Sequence, residues 1–283
     1  MNKIHISFSE YQSFKSCQHK HFLQNILKLE QPSNDILRFG SAIHKSIEEI
    51  INKNLTNPIV YANIFKGQIR KQFGKENIPF YLIDDGILLL RELNYFERYK
   101  DYDLIGSEEE INEELTTIDN ILVNFKGFID LTLQHKTTKQ YIVIDFKSAF
   151  YNWDIIKKWN LKDEGNNIYQ FTEESNDKTF FGQLALYKYY IAKRFNVTLD
   201  KIDTYYLTLS RKPSCIIQSY KIEYSNEFID FIYNDVIEVT KQIINIDPMF
   251  LNKAKFNEYK SHCKNCFFAK DFCNNDKHQL IVI

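Results

Sequence analysis

The chain has 283 residues, and its 36 lysine and arginine side chains nearly balance its 37 aspartate and glutamate side chains. A near-neutral chain neither favours nor excludes a nucleic-acid partner, so any phosphate-binding surface must be local. The hydrophobic fraction of 44% is enough for a sizeable core, and no stretch approaches the roughly 20 apolar residues that predict a membrane span. Without an apolar signal-peptide segment near Met1, we expect a cytoplasmic protein.

Hydrophobic periodicity predicts helices in the first third of the chain and strands after it. The predicted helices begin at a capping-box-like Ser9–Gln12 and run to about Leu27, then cover Ser41 to about Asn54 and most of 58–103. From 109 to 147 the period changes to two, which is typical of strands. The remaining predicted elements are a helix, a strand and a helix, over about 180–195, 202–211 and 226–245.

This order of elements predicts a mixed α/β fold, in which helices flank a small mixed β-sheet. We expect a single domain over 1–283, with a helical N-terminal part over 1–107, a core over 108–250 and a cysteine-rich segment over 251–283. The polar insertion 150–178 contains Trp153, Trp159 and Tyr169. The sequence leaves open whether it is a lid, a platform that stacks single-stranded bases, or a packing or disordered insertion.

The segments 123–134 and 141–148 are predicted to form a hairpin. With the turn centred between Thr137 and Thr138, facing residues have numbers that sum to 275. One face then carries only apolar pairs, which are Ile129 with Phe146, Leu131 with Ile144 and Leu133 with Ile142. The other face pairs Asp130 with Asp145, and Lys147 follows on that same face. A slip of one residue would mix the two faces, so the pattern favours this register.

Two facing carboxylates in this hairpin predict a metal site. Their Cβ atoms would lie about 5 Å apart, a destabilising arrangement unless a cation compensates. Mg²⁺ and Mn²⁺ prefer carboxylate oxygens and water as ligands. A metal that activates water, with Lys147 nearby, supplies the parts needed for phosphodiester hydrolysis. The alternative is an exposed strand face with ordinary charges.

The cysteines suggest a second metal site. The chain has five of them, Cys17, Cys215, Cys263, Cys266 and Cys273. An odd number without a secretory signal argues against a disulfide scaffold. Four thiols, with Cys215 set aside as inert, suit either structural zinc or a [4Fe–4S] cluster. In a zinc site, His262 or His278 could replace one thiol.

Together these patterns resemble the PD-(D/E)xK nuclease superfamily, and within it the RecB-like branch. Gly127–Asp130 resembles the G-x-x-D strand of that branch, and Asp145–Lys147 resembles its D/E-x-K strand. Phe39–His44 is similar to the helix that presents a metal-ligating histidine. Gln183–Tyr187 resembles the Q-x-x-x-Y helix, and Ser7–Cys17 resembles the opening helix.

The resemblance implies a restriction-endonuclease-like core and metal-dependent cleavage of DNA, with exonuclease activity expected. It assigns His44, Asp130 and Asp145 to a Mg²⁺ or Mn²⁺ site. It makes Lys147 catalytic, and gives Gln183 and Tyr187 the role of arranging this lysine and the DNA. One glutamate at the start of the preceding strand, among 108–114, is a candidate extra ligand, and Glu48 is a candidate to orient His44.

AddB-like and CRISPR-associated members of the branch hold an iron–sulfur cluster with one cysteine before the core and three after it. The resemblance therefore favours a [4Fe–4S] cluster on Cys17, Cys263, Cys266 and Cys273 over zinc. It implies DNA as substrate, single-stranded or with free ends, and a helicase or a recombination or CRISPR-adaptation partner. The expected processes are recombination, repair, phage replication or spacer acquisition. Two alternatives stay open: an inactive nuclease-fold scaffold, and a zinc-stapled DNA-binding protein.

Overall fold

The computed structural model describes residues 3–31, 33–74, 76–151, 162–165, 168–170, 178–212, 214–245 and 266–268. Among the predicted features, Cys263, Cys273, Trp153 and Trp159 lie outside these residues, as do His262 and His278.

Helices and strands follow one another along the chain broadly in the predicted order. The described helices are α1 (Phe8–Ser16), α2 (Gln18–His21), α3 (Asp35–Asn52), α4 (Pro58–Phe73), α5 (Phe80–Leu93), α6 (Tyr95–Arg98), α7 (Lys178–Phe195) and α8 (Asn226–Ile244). The strands are β1 (Lys3–Ser7), β2 (Tyr102–Ile118), β3 (Ile121–His135), β4 (Tyr141–Tyr151), β5 (Lys162–Asp163), β6 (Ile168–Gln170), β7 (Ile202–Lys212) and β8 (Ile216–Glu223). No helix in the described part of the chain has the length and apolarity that a membrane span requires.

The strands form one mixed sheet in the order β1-β3-β4-β7-β8-β6-β5, and β2 pairs with β3. The pairs β3–β4 and β7–β8 are antiparallel, whereas β4 and β7 are parallel. Helices flank this sheet, so the predicted mixed α/β class with a restriction-endonuclease-like core is confirmed. The strands β1, β5, β6 and β8 were not predicted; β5 and β6, with two and three residues, are too short for a clear period.

The chain forms two compact units, which interleave along the sequence. The larger unit contains Ser33–Glu113 and Lys126–Tyr233. The described residues of the smaller unit fall within 3–31, 114–125, 234–245 and 266–268.

In the larger unit, α3, α4 and α5 share a hydrophobic core with one face of β3, β4 and β7. The predicted stripe of α3 is part of that core, since Ile43, Ile47, Ile50 and Ile51 are all buried. Helix α7 contacts β4 and β7 as well, and its Leu184, Leu186 and Ile191 are buried. Strand β4 is accordingly buried on both faces, which includes the polar face that carries Asp145.

The predicted hairpin register is confirmed over its described ladder, where Leu131 pairs with Ile144 and Leu133 with Ile142. Strands β2 and β3 are joined by Asp119 and Asn120, whose φ angles of 48° and 64° are both positive. Two such residues in a two-residue loop are typical of a type I′ turn, whose twist matches that of the flanking strands. The two hairpins together make β2, β3 and β4 neighbours in the sheet, in the same order as in the sequence.

Several predicted boundaries were wrong. The first helix is capped by Ser7, whose Oγ accepts the amide of Glu10 at 3.2 Å, and not by Ser9. Helix α3 begins six residues before the predicted Ser41, because the Asn34 side chain caps the amide of Leu37 at 2.9 Å. The stretch 58–103 is mostly helical, as predicted, with one break between Phe73 and Phe80 and another at Asn94, which has a φ of 39° and ends α5.

The insertion contributes to the sheet where it is described. Residues 168–170 pair in parallel with β8, and Tyr169 is only 4% exposed. Its ring packs on Tyr220, with 5.7 Å between the ring centroids. Tyr169 is therefore a packing residue, and of the alternatives left open by the sequence, a packing insertion fits this part.

Candidate active site

Helix α3 brings His44 to the sheet, and a glycine permits the approach. A Cβ atom on Gly40 would lie 2.9 Å from Oγ of Ser148 on β4, a distance that Cβ atoms essentially never show. His44 stands four residues after Gly40, hence on the same helix face. The glycine of the predicted histidine motif thus has a packing role, which is to let this face of α3 approach β4.

His44 meets Asp130 on β3. Its Nδ1 lies 3.2 Å from Oδ1 of Asp130. The other oxygen of that carboxylate, Oδ2, accepts the backbone amide of Phe146 at 2.6 Å. On β3, the described pairing with β4 begins at Leu131, the residue after Asp130, and the Asp130 side chain adds this contact with the β4 backbone. Asp130 is therefore fixed from both sides, by α3 and by β4.

Asp145 and Lys147 form an ion pair on β4, with 2.5 Å between Lys147 Nζ and Asp145 Oδ2. Burial and the nearby Asp130 raise the pKa of Asp145 to about 6, although Lys147 and His44 act against this. Burial opposes the charge on Asp130, but His44, Lys147 and the Phe146 amide outweigh it and lower the pKa of Asp130. The two aspartates thus differ, since the Asp130 carboxyl is held ionised, whereas the Asp145 carboxyl takes up a proton more readily.

A third carboxylate joins this group from β2. Oε1 of Glu108 lies 3.9 Å from Nδ1 of His44, and Oε2 lies 3.7 Å from Nζ of Lys45. Burial and the charge of Asp130 raise the pKa of Glu108, against the effect of Lys45 and His44. Burial opposes protonation of His44, but Asp130, Asp145 and Glu108 together raise the pKa of that imidazole.

His44, Glu108 and Asp130 form a candidate metal centre, in which one ligand atom from each residue lies within 4.8 Å of the others. One imidazole nitrogen and several carboxylate oxygens are a donor set that suits a divalent cation such as Mn²⁺. The sequence pattern pointed to the run 108–114 but did not single out Glu108. Glu48, the predicted orienting residue, instead pairs with Lys45 at 2.8 Å.

The predicted Gln183–Tyr187 motif lies on α7 and contacts β3. Nε2 of Gln183 donates to the hydroxyl of Tyr187 at 2.8 Å, so the predicted shared face is confirmed. A Cβ atom on Gly127 would lie 2.9 Å from Cε1 and 3.0 Å from the hydroxyl of Tyr187. Burial, reinforced by Asp145 and Asp130, raises the pKa of Tyr187, which therefore stays a neutral hydroxyl. The absent side chain at Gly127 makes room for this ring three residues before Asp130.

One aromatic residue beside the site was not predicted. Tyr206 on β7 is the direct strand partner of Asp145, and its ring centroid lies 5.7 Å from Nζ of Lys147. Burial raises the pKa of Tyr206 well above its usual range. The alternating pattern of 202–211 could place Tyr206 on a strand, but the parallel pairing with β4 has no local sequence signal.

Two of the predicted cysteine ligands lie in the smaller unit. Cys17 separates α1 from α2, and its Sγ accepts the amide of Lys20 at 3.4 Å. Cys266 packs against a buried cluster of Phe22, Leu23 and Phe268. The fifth cysteine, Cys215, contacts the core of the larger unit, and its thiol donates to the carbonyl of Asp85 at 3.5 Å.

Residues 5–274 match the sequence profile of the PD-(D/E)XK nuclease superfamily, and the chain belongs to that superfamily. A crystal structure described as a "Putative exonuclease" from Eubacterium rectale aligns with a TM-score of 0.58 at 13% identity, covering 98% of this chain and 90% of that one. At such low identity the likeness shows the fold alone. A structure described as SSO0001 aligns with a TM-score of 0.35 at 15% identity, covering 91% of this chain and 95% of that one. Comparison with curated proteins gave no significant match.

Proposed function

We propose that this protein is a metal-dependent deoxyribonuclease that removes nucleotides from DNA ends. The observation that carries the proposal is the meeting of His44, Glu108 and Asp130 beside the Asp145–Lys147 ion pair. Membership of a nuclease superfamily supports cleavage of a phosphodiester bond. The exonuclease description of the Eubacterium rectale protein agrees with the preference for ends.

In this proposal, His44, Glu108, Asp130 and Asp145 would hold Mg²⁺ or Mn²⁺. When bound, the cation supplies an activated water and neutralises charge on the scissile phosphate. Asp130 keeps its orientation through the Phe146 amide, and the raised pKa of Tyr187 keeps that hydroxyl protonated. Lys147, held at Asp145, is the donor that orients the attacking water or binds a phosphate oxygen. Gln183 positions Tyr187, and Tyr187 supports the strand that carries Asp130.

The RecB-like branch and its biology are part of the same proposal. A RecB-like member would act on single-stranded or free-ended DNA in recombination, repair, phage replication or CRISPR adaptation, together with a helicase or an adaptation protein. The motifs around His44, Asp130, Asp145 and Gln183 support this branch. The identity of the partner protein that presents DNA ends would show in which of these pathways the protein acts.

We further propose that Cys17, Cys263, Cys266 and Cys273 hold a structural [4Fe–4S] cluster. Two observations support it. The backbone amide at Cys17 Sγ is the kind of donor that tunes cluster thiolates, and Cys266 packs on Phe22 and Leu23, which follow Cys17 directly after α2. Protein purified without oxygen should be brown and contain iron. A colourless protein that contains zinc would favour the structural-zinc alternative.

The nuclease proposal is tested on end-labelled linear DNA and on closed circular DNA, each single- and double-stranded, with Mg²⁺, Mn²⁺ or a chelator. We expect metal-dependent loss of the end label, and no cleavage of the circles. Cleavage of circles would indicate an endonuclease. If no DNA is cut with either metal, the scaffold alternative is the better description.

A further inference from the structure

Glu108 reaches the metal centre from an unusual backbone conformation. It lies inside β2, yet its φ angle is 52°. Residues with a Cβ atom rarely adopt this left-handed region, and a left-handed residue within a strand is typical of a β-bulge. Because such a conformation is costly, the surrounding contacts must maintain it. The contacts of the neighbouring residues therefore determine where the Glu108 carboxylate lies.

The neighbouring residues of β2 are held by one side chain of α7, Arg194. Its Nη1 donates to Oε1 of Glu109 at 2.6 Å. Its Nη2 donates to the carbonyl oxygen of Glu110 at 3.3 Å and to Oε1 of Glu113 at 3.2 Å. One guanidinium thus binds three residues of the strand within 109–113, beginning directly after the left-handed residue.

A glycine completes this arrangement. The Glu109 side chain folds back over Gly106, where an added Cβ atom would lie 2.5 Å from Oε2 and 2.9 Å from Cδ. Gly106 therefore permits the side-chain position in which Glu109 reaches Arg194. Glu108, by contrast, contacts His44 and Lys45 on α3. Adjacent side chains of β2 are bound by different helices, so the orientation of the peptide between them is fixed from both sides.

We propose that Arg194 is a positioning residue for the metal centre. It holds the bulge of β2 and so keeps the Glu108 carboxylate beside His44 and Asp130. The only part of the proposed function on which this rests is that the centre binds a divalent cation. A lysine could not replace Arg194, because a single ammonium cannot present the planar set of donors that reaches two carboxylates and a carbonyl.

The test measures Mn²⁺ affinity by titration calorimetry on the full chain, without DNA. Removal of a group that orients a ligand costs about 10-fold to 100-fold in metal affinity. We expect Glu108→Gln and Arg194→Gln each to weaken Mn²⁺ binding by about 10-fold or more. The matched control is Lys193→Gln, which removes the same charge from an exposed neighbour on α7 and should bind Mn²⁺ like the wild type.

The double variant Arg194→Gln/Glu108→Gln separates positioning from a general loss of packing. If Arg194 acts through Glu108, the double variant binds Mn²⁺ no more weakly than Glu108→Gln alone. If the two losses multiply, or if Arg194→Gln binds like the wild type, the proposal is wrong. In a cleavage assay, Arg194→Gln should raise the metal concentration for half-maximal rate but restore most of kcat at saturating Mn²⁺.

The outcome does not depend on DNA cleavage. A protein that binds Mn²⁺ with this dependence but cuts no DNA would refute the proposed function and support the role of Arg194. A protein that cuts DNA but whose Mn²⁺ affinity is unaffected by Arg194→Gln would support the proposed function and refute the role of Arg194. If Arg194→Gln does not fold, Glu109→Gln and Glu113→Gln, which each weaken one contact of the guanidinium, provide the same comparison. Unchanged Mn²⁺ affinity in both would overturn the proposal.

Discussion

The candidate metal centre of the larger unit and the cysteine region of the smaller unit are built by different means. In the larger unit, hydrogen bonds fix the ligand side chains, and two glycines let α3 and α7 approach the strands that carry them. In the smaller unit, the described residues that pack around Cys266 are Phe22, Leu23 and Phe268, and the proposed cluster would hold Cys266 as well. The first region should keep its geometry without metal, whereas the second should depend on metal for stability.

The largest effect is expected from the Asp145–Lys147 pair. Asp145→Asn and Lys147→Ala should each lower the Mn²⁺-dependent cleavage rate by at least about 100-fold, since in the proposed function Asp145 would hold the cation and Lys147 would orient the attacking water or bind a phosphate oxygen. Because burial and Asp130 raise the pKa of Asp145, its charge is unfavourable in the metal-free fold at neutral pH. Asp145→Asn should therefore raise the melting temperature of the metal-free protein while it removes activity.

Opposite changes in activity and stability would set Asp145 apart from a structural residue. The two readouts are release of the end label and a thermal melt in chelator, with Lys193→Gln as the control. An Asp145→Asn variant that melts lower than the wild type would contradict the assigned cause of the raised pKa.

Mn²⁺ affinity should depend steeply on pH. The cation competes with a proton on Asp145, whose pKa is about 6, and with a proton on His44, whose pKa is raised. Affinity should therefore be highest above this range and fall by about tenfold or more per pH unit below about pH 6. Calorimetry in buffers of different ionisation enthalpy counts the released protons. An affinity that does not change between pH 5 and 7 would exclude both groups as ligands.

The cysteine region should show the reverse behaviour, with an effect on stability and not on chemistry. Cys17→Ala or Cys273→Ala should abolish iron binding and lower the melting temperature by about 5–10 °C. Mn²⁺ affinity at the centre of the larger unit should stay within about twofold of the wild type if the two sites share no ligand and act independently. Iron content, thermal melts and Mn²⁺ titration give the three readouts. Unchanged iron content would remove these cysteines from the ligand set.

Much of the centre could be predicted from the sequence because two of its carboxylates lie on the two strands of one hairpin, where alternation alone gives their face. The alternation in 123–134 and 141–148 placed Asp130 and Asp145 on one face, and helical spacing joined Gln183 to Tyr187. Glu108 could not be singled out in the same way. Its position depends on a left-handed backbone and on Arg194, which lies 86 positions further along the chain.

The parts of the fold that could not be predicted also depend on distant partners. Strand β8 pairs with β6 from the insertion, and Tyr206 reaches Asp145 only through the parallel pairing of β4 with β7. A polar segment such as 162–170 carries no period of its own, so its two short strands are determined by the sheet edge that they join.

The smallest effect is expected from the contact between Gly127 and Tyr187, and it probes how strongly α7 controls the centre. In Gly127→Ala, the new Cβ atom would lie 2.9 Å from a buried ring, so either β3 or the ring must move. We expect a loss of about 1–3 kcal/mol in unfolding free energy, the usual cost of overpacking, and a reduced cleavage rate because Asp130 lies on the same strand. Tyr187→Phe, which removes the hydroxyl with its bonds to Gln183 and to the Phe128 backbone, should cost about 1 kcal/mol. Adding Tyr187→Leu to Gly127→Ala shortens the ring side chain and should recover part of the lost rate. If the double variant cleaves DNA no faster than Gly127→Ala alone, the ring does not transmit the effect, and the glycine acts through β3 itself.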